Sequence, residues 1–448
     1  MQKQYDFTRG NLLKQLIFFS GPIILANLLQ TSYQLIDSLW VGNLLGAGAL
    51  GAVSVSGVIV FTVLSFVIGL NNAALTILSQ QKGSDNVEGL KRYLNAFVVI
   101  LIIMSLSFTI IGVLATDLLL QILGMPEDTF SMAKEYLQIN FIGVIFLFGY
   151  NFISTVLRAI GDSKSPLVFV FIAVLLNAVL DPLFIAVFDL GVSGAAYATI
   201  ISQGAAFAYG MYFVLKNKLA PFEWPRLPKW KEVALVLNLG IPAGLQMAVI
   251  SAGSAAIMSV VTKFGSSIVG GYGAAQRLSS TIMLPAQSLG TSVNSMAGQN
   301  IGVNDWTRVQ KITKNGLVYN IIFMCTIGLG VFIFTEPLVR LFIQDQAAVT
   351  FASDYLRIMV FCFPFLGINF VLNGIIRASG AMYQVLILNI ISFWILRFPL
   401  AWIFADLLGE RGIAAGIGAS FIASSLIAAS YYQFGKWRQK ELFKEHEG

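Results

Sequence analysis

The sequence has very few residues of the types that carry most acid–base and metal chemistry. It contains one histidine, His446, and two cysteines, Cys325 and Cys362, which both lie in apolar stretches. A single histidine excludes sites with several His ligands and a buried His proton relay, and two such cysteines give no disulfide framework or cysteine metal site. Charged residues make up only 11% of the chain, against about 25% in a typical soluble domain.

What the chain has in excess is apolar sequence. Of its 448 residues, 57% are hydrophobic, and the mean hydropathy is +0.78. A disordered chain is excluded, since it would need few apolar residues and many charges. Because about 20 apolar residues cross ~30 Å of hydrocarbon, the pattern predicts an all-α polytopic membrane protein with twelve transmembrane helices. The expected spans are 12–40, 50–80, 93–115, 133–157, 165–187, 192–215, 232–262, 271–298, 313–334, 352–376, 384–405 and 412–434.

The distribution of basic residues predicts the orientation of these spans. About three quarters of the 28 Lys and Arg residues lie at the two termini and in the even-numbered loops, which is a strong positive-inside bias. Both termini are therefore expected in the cytoplasm, with the chain crossing the cell membrane many times. The net charge of +6 is explained by this topology, and no clustered basic surface indicates nucleic acid.

The second half of the sequence repeats the first. Arg-Ala-Ile-Gly at 158–161 matches Arg-Ala-Ser-Gly at 377–380, and Glu-Tyr-Leu at 135–137 matches Asp-Tyr-Leu at 354–356. Six spans per half insert both halves with the same orientation, so the repeats are parallel and related by an axis along the membrane normal, as in many transporters. The expected division is a first lobe 1–215, a cytoplasmic linker 216–231 that contains three prolines, and a second lobe 232–448 with a basic tail.

Two acidic side chains stand out because they lie deep in predicted spans. Asp37 in span 1 and Asp181 in span 5 are at similar depth, and a carboxylate there is costly unless it is protonated, paired or hydrated. Asn177 and Tyr33 each precede one of these acids by four residues, on the same helix face, and Thr199 in span 6 reaches the same layer. The set predicts a proton or cation site in the first lobe; a structural hydrogen-bond network is the alternative.

The second lobe has different polar residues in its spans. The positions equivalent to Asp37 and Asp181 are apolar there. Arg397 is its buried cation and either contacts substrate or bonds backbone carbonyls, and Asn369 and Asn373 either line a cavity or hold helices together. In span 1, Pro22 is a candidate hinge, although membrane prolines are often static.

Taken together, these residues resemble the multidrug and toxic compound extrusion (MATE) family, and its DinF-like branch in particular. The resemblance rests on two six-helix lobes, Asp37 after Pro22, Asn177 before Asp181-Pro182, Thr199 in span 6 and the Arg-Ala-Ile-Gly-Asp loop at 158–162. It implies an antiporter, expected as a monomer, that exports organic cations in exchange for H+ or Na+. It also implies that the residues matching Asp37, Asn177, Asp181 and Thr199 form the ion site. No cofactor is expected beyond the coupling ion.

One departure from the family bears on the coupling ion. The NorM-like branch carries acids in spans 7 and 10, whereas here the interior of span 7 has none and the interior of span 10 offers only Asn369 and Asn373. Proton coupling through the first lobe is therefore favoured over Na+.

Three other functions remain as alternatives. A flippase of a lipid-linked precursor, from the same superfamily, would want several buried bases for a pyrophosphate. A major-facilitator carrier would carry a basic motif between spans 2 and 3, which is absent. An intramembrane enzyme lacks any nucleophile elbow or phosphate loop, so no enzymatic activity is expected.

Overall fold

The structure, a computed structural model, describes residues 5–443, so His446 lies outside the described part. Residues 5–443 form α-helices joined by short connections, with no β-strand among them. The α-helices are α1 (Leu12–Gly83), α2 (Val87–Ile122), α3 (Glu127–Ile142), α4 (Val144–Ala159), α5 (Lys164–Pro182), α6 (Gly191–Lys216), α7 (Trp230–Val261), α8 (Ser266–Gly302), α9 (Trp306–Ile333), α10 (Thr335–Arg340), α11 (Gln346–Ala378), α12 (Met382–Ile390), α13 (Phe398–Leu408) and α14 (Glu410–Phe434).

Every predicted span has a counterpart among these helices. Spans 1 and 2 are both contained in α1, span 4 is the pair α3 and α4 with a bend of 48° between them, and span 11 is divided between α12 and α13. Within residues 5–443, nine helices are long and apolar enough to cross a membrane, or ten if the bent pair counts as one span. That count takes α1 once and leaves out α8, the counterpart of span 8. The predicted all-α, multi-pass architecture is confirmed.

The long helix α1 is interrupted at Gly46. Its backbone angles there are φ 84° and ψ −176°. Glycine adopts this combination readily, whereas a residue with a Cβ atom is strained in it. The break lies between the sequence ranges predicted for spans 1 and 2. It therefore coincides with the connection that the sequence predicts between two crossings.

Two helices contain π-helical turns next to a proline. Leu183–Val187 follows Pro182 at the end of α5, and Ile391–Arg397 connects α12 to α13, whose second residue is Pro399. Proline has no backbone N–H and so disturbs the regular hydrogen-bond ladder, and π turns are frequent at functional sites. Each π turn lies beside a charged residue singled out from the sequence.

The described chain divides into two units by its internal contacts. The first unit contains Tyr5 and Gly21–Ile241, and the second contains Asp6–Ser20 and the chain from Pro242 onward. The predicted lobes thus differ from the units in two places. Residues 6–20 belong to the second unit, and the linker with the start of α7 belongs to the first.

Specific contacts hold these two exchanged segments in place. In the second unit, the Phe7 N–H donates to Gln299 Oε1 over 3.2 Å, and Arg308 Nη2 donates to the Phe7 carbonyl over 2.9 Å. In the first unit, Asn95 Nδ2 donates to the Arg226 carbonyl over 2.7 Å, and Asn95 Oδ1 accepts from the Arg226 N–H over 2.8 Å. The linker is therefore an integral part of the first unit.

The outer surface of α2 is strongly apolar. Ile110, Ile111, Leu114 and Leu118 all lie on exposed positions of the helix, with Leu114 81% exposed. Exposing such an apolar stripe to water is unfavourable, whereas contact with the hydrocarbon of a bilayer is not.

Candidate ion-binding site

The first-unit site is centred on the last turns of α5. Asn177 and Asp181 lie one helical turn apart, and both side chains are fully buried. Asn177 Nδ2 donates to Asp181 Oδ1 over 2.9 Å. The amide oxygen of Asn177, Oδ1, and the other carboxyl oxygen of Asp181, Oδ2, are buried and have no hydrogen-bond partner.

The second acid comes from α1. Asp37 is 8% exposed, and its Oδ1 is also buried without a partner. Its carboxyl group interacts electrostatically with Asp181. The structure thus brings together the two acids that the sequence placed at equal depth in different spans.

Tyr33 and Thr199 complete the predicted set. Tyr33 lies one turn before Asp37 on α1, and its buried hydroxyl has no partner that satisfies hydrogen-bond geometry. The same hydroxyl approaches the half-buried Thr199 side chain of α6 closely enough to interact with it. All five residues predicted for the first lobe therefore belong to one cluster formed by α1, α5 and α6.

One residue of the cluster was not predicted from the sequence. Tyr136 of α3 is 7% exposed and interacts electrostatically with both Asp37 and Asp181. It also belongs to an apolar cluster with Val41 and Ile185, which packs beside the acids. The signal was present in the repeated Glu-Tyr-Leu motif at 135–137, which indicated the repeat but no role.

The chemistry of the cluster follows from its donor atoms. Three buried oxygens from two carboxylates and an amide have no partner, and leaving such groups unmatched in a low-dielectric interior is costly. A bound proton or a hard monovalent cation satisfies oxygen ligands of this kind. Within residues 5–443, no group of three or more His, Cys, Asp or Glu side chains could hold a metal ion.

Comparison with known proteins identifies the family to which this architecture belongs. The MatE family model matches residues 22–183 and again residues 242–403. The chain belongs to the MATE family. The two matches are two copies of one unit, which confirms the predicted internal repeat, and MATE proteins are transporters and not enzymes.

Relatives of this MATE transporter match over its whole length. The chain is 58% identical to the probable multidrug resistance protein YpnP of Bacillus subtilis, over 99% of this chain and 100% of that protein. It is 29% identical to the probable multidrug resistance protein YoeA of the same organism, over 97% and 96%. A crystal structure of the Vibrio cholerae MATE transporter VcmN in the bent form superposes with a TM-score of 0.91 and 24% identity, over 96% and 98%. That last likeness establishes the fold, while the branch within the family stays a prediction.

The residues predicted for the second lobe of this MATE transporter do not form one cluster by hydrogen bonding. Asn369 Nδ2 of α11 donates to Ser424 Oγ of α14 over 3.0 Å, which is a contact between helices. Asn373 lies one turn later and keeps a buried Oδ1 without a partner. Neither asparagine bonds to Arg397 among the described residues, and Arg397 instead lies against aromatic rings.

Pro22 lies in an unbroken stretch of α1 in this MATE transporter. The boundary between the two units falls after Ser20, two residues before Pro22, and the equivalent boundary falls at Pro242 in α7. Each helix therefore changes unit next to a proline. The hinge role of Pro22 stays a prediction.

Proposed function

We propose that this protein is a secondary active antiporter that exports organic cations in exchange for H+, with Na+ as the alternative coupling ion. The observation that carries the proposal is the set of buried, partnerless oxygens of Asp37, Asn177 and Asp181. The names of YpnP and YoeA, probable multidrug resistance proteins, support small drug-like molecules as the exported compounds.

The coupling follows from the cost of buried charge. Two carboxylates that interact in a low-dielectric environment resist joint ionisation. The pair of Asp37 and Asp181 therefore binds either a proton or a cation, which neutralises one of the two charges. A proton and a positively charged substrate then compete, because each neutralises the same negative charge. Asn177 orients Asp181 by its hydrogen bond, and Thr199 and Tyr33 offer hydroxyl oxygens beside the acids.

A transport cycle uses this competition. A proton from the acidic side neutralises Asp37 or Asp181 and removes the attraction for the bound organic cation, which leaves. The neutral site permits α1 to bend about Pro22, and the carrier returns to face the cytoplasm and releases the proton at higher pH. By linkage, a proton that weakens drug binding is displaced by the drug to the same degree.

The location and assembly belong to the same proposal. The protein acts in the cell membrane as a monomer, with both termini in the cytoplasm, in contact with the lipid bilayer and with no nucleic acid. The positive-inside distribution of Lys and Arg supports this orientation.

The test is transport by purified protein in proteoliposomes. Ethidium, a fluorescent organic cation, is present at equal concentration on both sides of the membrane, and a pH gradient or a Na+ gradient is imposed separately. Net movement of ethidium against the concentration gradient that develops, driven by the pH gradient alone, is the expected result. Transport driven only by the Na+ gradient would identify Na+ as the coupling ion. The absence of ethidium movement under either gradient would overturn the proposed antiport.

A further inference from the structure

Arg397 has an unusual environment in the second unit. Its side chain is 8% exposed, so that more than nine tenths of the residue is buried. The guanidinium group lies over the ring of Phe393 at 3.7 Å and near the ring of Phe421 at 4.6 Å. Stacking on aromatic faces covers the flat sides of the guanidinium and leaves its edge, which carries the N–H donors, available.

The edge of this guanidinium lacks the partners that a buried arginine needs. Nε and Nη2 of Arg397 are buried and have no hydrogen-bond partner. Among the described residues no carboxylate forms an ion pair with it. Asp354, the acid adjacent in sequence to Tyr355, is instead paired with Arg411 over 2.9 Å. A buried cation with no counter-charge is costly, so a fold that keeps one points to a ligand that supplies the charge.

Two tyrosines complete the surroundings of Arg397. Tyr272 of α8 and Tyr355 of α11 pack edge-to-face with ring centroids 5.6 Å apart, and both interact electrostatically with Arg397. They are 5% and 3% exposed. Phenolic hydroxyls donate hydrogen bonds, so both residues suit an anion that contacts the guanidinium.

The internal repeat relates this pocket to the acidic site of the first unit. Tyr355 is the repeat partner of Tyr136, which lies beside Asp37 and Asp181. At the same offset of about 220 positions between parallel repeats, Arg397 falls on Asn177. The two units thus place groups of opposite charge in corresponding regions of the repeat, the acids in the first and Arg397 in the second.

We propose that Arg397, with Tyr272 and Tyr355, forms an anion-binding pocket in the second unit that accepts a carboxylate or phosphate group. The planar fork of Arg matches both groups through two parallel N–H···O bonds. The anion is either a group on the transported organic molecule or a free small anion. The pocket goes beyond the proposed antiport and does not depend on proton coupling.

The first arm of the test uses free anions. Purified protein in detergent is heated while sodium acetate or sodium phosphate replaces sodium chloride at constant ionic strength. A free-anion site gives a saturable rise in Tm that is lost in Arg397→Gln and reduced in Arg397→Lys. The matched control is Arg411→Gln, which removes an exposed arginine of the same unit and retains the response.

The second arm uses two dyes that differ only in an anionic group. Rhodamine 110 has a free carboxylate, and rhodamine 123 is its methyl ester. Binding is measured by fluorescence anisotropy. If the anion is part of a substrate, Arg397→Gln lowers the affinity for rhodamine 110 at least ~10-fold and changes the affinity for rhodamine 123 less than ~2-fold. Only rhodamine 110 carries the carboxylate that the guanidinium binds.

The outcomes separate the two sources of the anion. A response in the dye arm assigns the pocket to an anionic group of a substrate, and a response to acetate or phosphate alone assigns it to a free anion. If neither arm responds, or if Arg397→Gln behaves as the unmodified protein does, Arg397 is a structural cation on aromatic rings and the proposal is overturned. Arg397→Lys keeps the charge but not the planar guanidinium, and it replaces the Gln variant in both arms if that variant does not fold. Neither arm measures gradient-driven transport, so failure here is distinct from failure of the antiport.

Discussion

The side-chain amide of Asn177 donates a 2.9 Å hydrogen bond to Asp181 Oδ1 one turn later in α5. This contact holds one oxygen of the carboxyl group, and the other oxygen, Oδ2, is buried without a partner. The pair is thus half-satisfied: one hydrogen bond orients the acid, and the remaining oxygens are left for an ion.

Replacing either acid by its amide is expected to stop coupled transport. Asp37→Asn and Asp181→Asn preserve side-chain shape but remove the charge that a proton or a cation neutralises, and ethidium transport driven by a pH gradient should fall to the level of empty liposomes. The control is Asp117→Asn, which removes an exposed acid paired with Lys134 over 2.8 Å in the same unit, a type of contact that contributes little. Full transport by both site variants would exclude the site.

Removing the orienting amide is expected to cost both stability and transport. Asn177→Ala deprives the buried Asp181 of its donor, and an unsatisfied buried acceptor costs about 1–3 kcal/mol. Thermal unfolding of the purified protein at neutral pH measures this loss. Asn151→Ala is the matched control, since the Asn151 side-chain amide donates to the Leu147 carbonyl of its own helix. Equal unfolding temperatures for the two variants would show that the contact does not stabilise the fold.

Substrate affinity is expected to rise with pH. Deprotonation of the acid pair restores its negative charge, so an organic cation binds more tightly at pH 8 than at pH 5, by at most about tenfold per pH unit when one proton is displaced. Ethidium binding measured across this range, with proton release recorded alongside, gives the slope. Asp37→Asn should flatten the curve; a flat curve for the unmodified protein would argue against competition with protons.

The topology predicts which loops reagents reach from each side. In a background with the exposed Cys325 replaced by Ala, Ser84→Cys and Asn217→Cys should react with an impermeant maleimide only from the cytoplasmic side. Gln344→Cys, in an odd-numbered loop, should react only from outside. All three positions are exposed. Labelling of Ser84→Cys or Asn217→Cys from outside would reverse the orientation.

The sequence was informative about helices and about acids, for the same physical reason. A long apolar run is costly in water, and a charge inside the bilayer is costly without a partner. The twelve spans and the cluster around Asp37 and Asp181 could therefore be predicted. Tyr136 could not, because a tyrosine is common in membrane helices and only the packing of α3 shows what it faces. The division of the units could not either, because contacts between distant residues leave no periodic pattern.

The place of Phe7 in the second unit has a consequence for synthesis of the protein. Phe7 leaves the ribosome well before Gln299, which accepts its N–H and follows 292 positions later. At about 5–20 residues per second, roughly 15–60 s separate the two. During that interval the Phe7 ring can already pack against Phe19, but the hydrogen bond to Gln299 cannot form, so this segment is tied to the second unit only after α8 has been made.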